Sequence, residues 1–249
     1  MSTSVASAVG TFVWHEHVSA DPQRAQQFYA DLLGWEYAEF GEGYTVINAD
    51  GQGHGGFPPA MEGPPPHWVG SVQVDDTDSV VEKVGAGGGT VVMGPMDIPD
   101  VGRYAVIADP QGAVFSVIQI TGEGGMMGKG VFVWDELATS DVNAAKTFYS
   151  DVLGWSSEGM DMGGGFTYTI FKHPNAEQGV GGAMPQGEAP ATMWLCYINA
   201  PDIDATTAKA KELGGTVIRE PWDIENVGRI AILVDPTGAA FGLFKSASS

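Results

Sequence analysis

At 249 residues and 43% hydrophobic content, the chain is long enough for two ordinary domains and rich enough in apolar side chains to build a core. Its formal net charge of -20, from 31 acidic against 11 basic residues, repels phosphate backbones and anionic lipid heads and argues against nucleic acid and membrane partners. The single cysteine, Cys196, rules out an internal disulfide and a thiolate zinc site. Met1 to Val9 hold no Lys, no Arg and no long apolar run, so no secretory signal or transmembrane helix is read there and a cytoplasmic protein is expected.

In chain order, Phe12 to Val18 reads as a strand. Asp21 is a good N-cap with Pro22 at the first helical position; Ala25, Phe28, Tyr29 and Leu32 keep helical spacing, and Gly34 sits where a left-handed residue closes a helix. Short strands are expected around 35–40, 44–48 and 55–57, followed by a proline-rich connection from Pro58 to Pro66. The pattern then restarts with a strand over 67–74, a helix from about Asp78 to Gly85, and strands near 90–93, 104–108 and 114–119. Asp109-Pro110-Gln111-Gly112 joins the last two, with Pro and Gly where a type I turn prefers them.

The whole order recurs. Gly10 to Trp35 (GTFVWHEHVSADPQRAQQFYADLLGW) matches Gly130 to Trp155 (GVFVWDELATSDVNAAKTFYSDVLGW) without a gap and with half the positions identical. Asp97 to Gln119 repeats as Asp223 to Lys245 at a slightly larger offset, the insertion falling around Gly159 to Gly165. Thr121 to Lys129 has linker composition. The expected division is therefore a first domain over 1–122, a linker over 123–129 and a second domain over 130–249.

These local sequences resemble the glyoxalase/bleomycin-resistance (vicinal oxygen chelate) superfamily. The likeness is carried by SADPQRAQQFYADLLGW and its copy, by VDDTD (Val74 to Asp78) after a strand, and by the DPQG and DPTG turns. The Trp14-His15-Glu16 strand, Pro65 to Trp68 (PPHW) and the repeated DIxxVGR segments are most similar to tandem two-domain members labelled hydroxylases or drug-resistance proteins of secondary metabolism. The resemblance implies an α+β fold of tandem vicinal oxygen chelate domains, each of two βαβββ modules forming a curved mixed sheet around a cleft. It does not by itself assign a function.

The resemblance also implies where a metal would be held. Metal-dependent members place His and Glu ligands on the first, fifth and eighth strands; the matching positions here are Trp14, Val69 and Ser116 in copy one and Trp134, Leu195 and Gly242 in copy two. None offers the imidazole or carboxylate that Zn, Fe, Mn or Ni sites need, so no metal and no other cofactor is expected. His15 and His17 share one strand face, but copy two has Asp135 and Leu137 there and the family register turns them toward the helices. They are expected as histidines satisfied by neighbours; His54, His67 and His173 belong to no ligand pattern.

Strand alternation puts Glu16 beside Trp14 and Glu136 beside Trp134 on the expected cleft face. A carboxylate beside an indole needs either a raised pKa or a cation, and Arg103 and Arg229 of the repeated Gly-Arg dipeptide are the expected partners. The bridge so formed either fastens the first strand to the seventh or holds Glu16 or Glu136 as a general base. Val69, Ser71 and Gln73 face the cleft on the fifth strand of copy one, and Leu195, Tyr197 and Asn199 in copy two. With Trp14, Trp134, Arg103, Arg229 and Ser116, the set Gln73, Tyr197 and Asn199 makes a mixed surface suited to a flat, partly polar organic molecule. Trp35, Trp68, Trp155 and Trp194 are expected in the core.

No nucleophile motif is present, and Gly85 to Gly89 follows a helix rather than opening one, so it does not cradle phosphate. Three functions remain open: a metal-free protein that sequesters or presents a small aromatic molecule, a metal-free enzyme using Glu16 or Glu136 as base, and a metal-dependent lyase, isomerase or dioxygenase of the glyoxalase type. The first is expected, as a monomer or homodimer.

Overall fold

In a computed structural model of the chain, residues 8–41, 43–49, 51–122, 131–176, 178–187, 189 and 191–247 are described. The expected linker over 123–129 lies outside the described residues. The first copy runs β1 (Phe12–Val18), α1 (Pro22–Leu33), β2 (Glu36–Phe40), β3 (Tyr44–Ala49), β4 (Gln52–Phe57), β5 (His67–Gln73), α2 (Thr77–Ala86), β6 (Thr90–Ile98), β7 (Gly102–Ala108) and β8 (Val114–Ile120). The second repeats it as β9 (Phe132–Thr139), α3 (Val142–Leu153), β10 (Ser156–Asp161), β11 (Thr167–Lys172), β12 (Gly181–Pro185), β13 (Met193–Asn199), α4 (Ile203–Glu212), β14 (Thr216–Ile224), β15 (Gly228–Val234) and β16 (Ala240–Ser246).

The local causes are those the sequence carries. The Asp21 carboxylate accepts from the Arg24 N–H at the start of α1, and Gly34 closes the helix at φ 75°. Asp141 and Gly154 do the same for α3. Strand β6 runs on to Ile98 instead of ending near Met93, because register shifts on either side of Met93 let Gly94 and Pro95 pass without ending the pairing with β7.

The strands order as β2-β3-β4-β1-β5-β8-β7-β6 and β10-β11-β12-β9-β13-β16-β15-β14. The β1/β4, β5/β8, β9/β12 and β13/β16 pairs are parallel and the hairpin neighbours antiparallel, so both sheets are mixed. Compaction cuts across the repeat. One unit comprises Trp14–Val69, Met127–Val133 and Leu195–Ser249; the other comprises Met1–Val13, Gly70–Met126 and Trp134–Trp194.

In the first of these units α1 packs with α4, and Phe28, Tyr29 and Ile203 bury against Trp35, Phe57, Trp68 and Phe241. In the second α2 packs with α3, and Val84, Phe148 and Tyr149 bury against Phe115, Trp155, Phe171 and Trp194. Trp35, Trp68, Trp155 and Trp194 are core residues, each no more than 5% exposed.

The DPxG aspartates tie turn, helix and strand together. Asp235 Oδ1 accepts from the backbone N–H groups of Thr237, Gly238 and Ala239, while Oδ2 accepts from Tyr29 Oη of α1 at 3.1 Å and pairs with His17 Nε2 of β1 at 2.7 Å. Tyr29 in turn accepts from the Trp68 indole at 2.9 Å. In the other unit Asp109 holds the turn N–H groups of Gln111 and Ala113 and accepts from Tyr149, which accepts from Trp194. Leu137 is the repeat equivalent of His17, and the two carboxyls move apart in consequence. Burial pushes Asp109 up, beyond what its hydrogen bonds offset. Burial also pushes Asp235 up, but the hydrogen bond and charge of His17, with the Thr237 hydroxyl and Ala239 N–H, outweigh it and hold the carboxyl below its usual value.

Candidate functional site

On the face of each first strand turned away from the helices, a tryptophan and a glutamate of that strand are joined in a line through a tyrosine of β3 or β11. In copy two the Trp134 indole N–H donates to Tyr168 Oη at 2.9 Å, and Tyr168 donates to Glu136 Oε2 at 2.9 Å. In copy one Trp14 donates to Tyr44 at 2.8 Å and Tyr44 to Glu16 Oε1 at 2.8 Å. An indole N–H only donates, so the phenol oxygen accepts and the phenol proton points at the carboxylate, which is thereby fixed as acceptor. Burial, and then the Glu136 charge, push the Tyr168 hydroxyl far above its ordinary value, so it stays a phenol.

Glycines make room for this line. A side chain at Gly182 would overlap the Tyr168 hydroxyl, and one at Gly56 would overlap that of Tyr44. A Cβ at Gly179 would lie 2.9 Å from the Trp134 ring, and one at Gly53 would lie 3.4 Å from Trp14. These positions are the repeated QGxGG of Gln52 to Gly56 and Gln178 to Gly182. Gly56 pairs with Glu16 and Gly182 with Glu136, so the glycine strand lies beside the carboxylate in each copy.

Tyr44 and Tyr168 were not singled out from the sequence. The signal was a third repeated stretch, Tyr44-Thr45-Val46-Ile47 against Tyr168-Thr169-Ile170-Phe171, in which alternation puts the tyrosine on the tryptophan face.

The expected Glu to Arg bridge is corrected by the arginine geometry. Arg103 makes a two-pronged pair with Asp78 at 2.7 and 2.9 Å and a third bond to Asp97 at 2.9 Å; Arg229 does the same with Asp204 and Asp223. Asp78 and Asp204 lie in the first turns of α2 and α4, so each guanidinium fastens a helix start to a strand pair at the surface. The adjacent Gly102 and Gly228 are there because a side chain would overlap the backbone carbonyl of Gln119 or Lys245. Exposed pairs of this kind are weak and screened by salt. Arg103→Ala and Arg229→Ala are therefore expected to lower thermal stability slightly, with the loss vanishing in high salt; a loss that persists there would mean these arginines act elsewhere.

The remaining expected residues separate into two arrangements. Ser71 and Ser116 pair across β5 and β8 with their hydroxyls 2.5 Å apart, both buried. At the equivalent pair in copy two the Tyr197 ring lies over Gly242. Gln73 is buried at the end of β5, and Asn199 is exposed at the end of β13. His17 faces Tyr29 of α1, and His15 stacks on Phe132 at 4.1 Å.

The positions that would carry metal ligands do not fit a divalent cation. They offer a donating indole, aliphatic Val69 and Leu195, a hydroxyl already paired with another hydroxyl, and a glycine covered by a ring. Among the described residues no group of three or more His, Cys, Asp or Glu side chains is placed to hold a metal ion.

With this arrangement in view, the family model described as the Glyoxalase/Bleomycin resistance protein/Dioxygenase superfamily matches residues 13–117 and again 132–243. The chain belongs to that superfamily as a tandem repeat. It is 38% identical over 251 residues to "Putative glyoxylase CFP32" of Mycobacterium tuberculosis, covering 96% of this chain and 95% of that one. It is 33% identical over 268 residues to the anthracycline biosynthesis protein DnrV of Streptomyces peucetius, covering 95% and 93%. The Mn(II)-bound glyoxalase of Novosphingobium aromaticivorans shares the fold at a TM-score of 0.65 and 18% identity, over 95% of this chain and 82% of that one. No helix of the described residues is long and apolar enough to cross a membrane.

Proposed function

We propose that the protein binds a small, partly aromatic organic molecule against the Trp–Tyr–Glu face without a catalytic metal, as a sequestering or presenting protein. The observation that carries this reading is the hydrogen-bonded line at the first-strand position: where metal-dependent members would place a ligand, each copy has an indole committed to a phenol. An aromatic wall beside a carboxylate whose orientation is fixed is a recognition surface for a flat molecule bearing a hydrogen-bond donor. The kinship with an anthracycline biosynthesis protein supports a ligand of that general shape.

The test has two measurements on the full chain purified without chelator or nickel resin. Elemental mass spectrometry is expected to find substoichiometric Zn, Ni, Fe and Mn. Titration with quinizarin, a planar dihydroxyanthraquinone, is expected to quench tryptophan fluorescence saturably, with EDTA making no difference. One tightly held metal per chain, or no saturable quenching, overturns the reading.

A further inference from the structure

Resting on that reading, we infer that the second copy holds the ligand, and that the hairpin formed by β10 and β11 supplies the apolar contacts that select a flat polycyclic molecule carrying a hydroxyl donor. In this hairpin Met160 pairs with Tyr168 and Asp161 with Thr167, and the Met162 N–H donates to the Phe166 carbonyl, continuing the same register. Side chains two apart share a face, so Met160, Met162, Phe166 and Ile170 all lie on the Tyr168 side. On the neighbouring strands Gly182 pairs with both Ile170 and Glu136, and Met184 pairs with Ala138, which extends this face across β12 to β9.

The result is a surface of Trp134, Tyr168, Phe166 and three thioethers with Glu136 in its midst. Met162 and Phe166 are each 36% exposed although they are large and apolar, and Met160 and Met184 are half-buried. Thioethers repack around irregular shapes, and exposed rings stack on flat ones. The Glu136 carboxylate accepts from Tyr168, and an acceptor in the middle of an aromatic surface is complementary to a phenolic hydroxyl.

Copy one serves as an internal control. Its equivalent face carries Phe40, Ala38 and Glu36 on β2, Tyr44, Val46 and Asn48 on β3, and Pro58 where Met184 stands in the other copy. It contains no methionine. Its hairpin is four residues shorter: Phe40 and Tyr44, the counterparts of Met160 and Tyr168, are its last pair, so it has no counterpart of Met162 and Phe166.

The deciding experiment compares quinizarin affinity in the parent chain, the double variant Met162→Ala/Phe166→Ala, and Phe40→Ala in copy one. The double variant is expected to bind about ten-fold or more weakly, while Phe40→Ala stays within about two-fold of the parent. Hydrogen exchange with bound quinizarin is expected to protect residues 156–172 and not 36–49, a readout that holds even where a variant folds poorly. Equal losses in both copies, no loss in the double variant, or protection of 36–49 alone overturns the assignment of the second copy. Absence of saturable binding by the parent sinks the binding reading itself, and this inference with it.

Discussion

Replacement of Asp235 by alanine is expected to destabilise the protein by about 3–5 kcal/mol, read as a lowered urea midpoint. The carboxylate holds three turn N–H groups, the Tyr29 hydroxyl and His17 at once, and both members of the His17–Asp235 pair are fully buried. Removing it orphans donors on a turn, a helix and a strand together. His17→Leu is the gentler probe, because it recreates the neighbour that Asp109 meets at Leu137. It should raise the Asp235 carboxyl, as burial does at Asp109 once no histidine opposes it.

The sign follows from linkage. In the parent, the depressed Asp235 contributes stability that is present above the unfolded value of 3.8 and lost as pH falls through the lower folded value. In His17→Leu the penalty is greatest near neutrality and shrinks as pH falls toward and below that value, since a protonated Asp235 no longer draws on the interactions that lower its pKa. A penalty constant from neutrality to acid would show that the pair acts by packing alone.

Gly182→Ala is expected to cost about 1–3 kcal/mol and to weaken quinizarin binding, because the new methyl must displace the Tyr168 ring and with it the bond to Glu136. A double-mutant cycle isolates the cause. In a Tyr168→Ala background the same change should be close to neutral, since the atoms nearest the new methyl all belong to the Tyr168 ring and hydroxyl. Equal costs in both backgrounds would place the strain in the backbone of β12 instead.

The helix signals, the repeat and the alternation on β1 were legible because they are local: Asp21, Pro22 and Gly34 act within a turn or two of themselves, and Trp14 and Glu16 are separated by one residue. What the spacing could not carry was partnership. His17 meets Asp235 across 218 positions of sequence, and nothing near either residue announces the other. Arg103 illustrates the opposite error. Glu16 was the functionally attractive partner, whereas the arginine takes Asp97, its cross-strand neighbour on β6, and Asp78 at the nearby helix start. The glycines of β4 and β12 were half read. Glycine suggests a turn, but the QGxGG glycines lead into or form a strand that an indole and a phenol approach closely.

The partition of the chain into units also sets an order of events during synthesis. Trp14–Val69 leaves the ribosome well before Leu195–Ser249, with which it shares its unit. Helix α1 therefore emerges with Trp35, Phe57 and Trp68 of its own segment to pack on but without Ile203 and Phe241 of the later one, whereas α2 and α3 have all their unit's segments once Trp194 is out. The nascent chain thus completes the unit that holds α2 and α3 before the unit that holds α1 and α4, and the side of α1 that meets the later segment stays open in the interval. A chain truncated after the first copy would hold one half of each unit and the whole of neither.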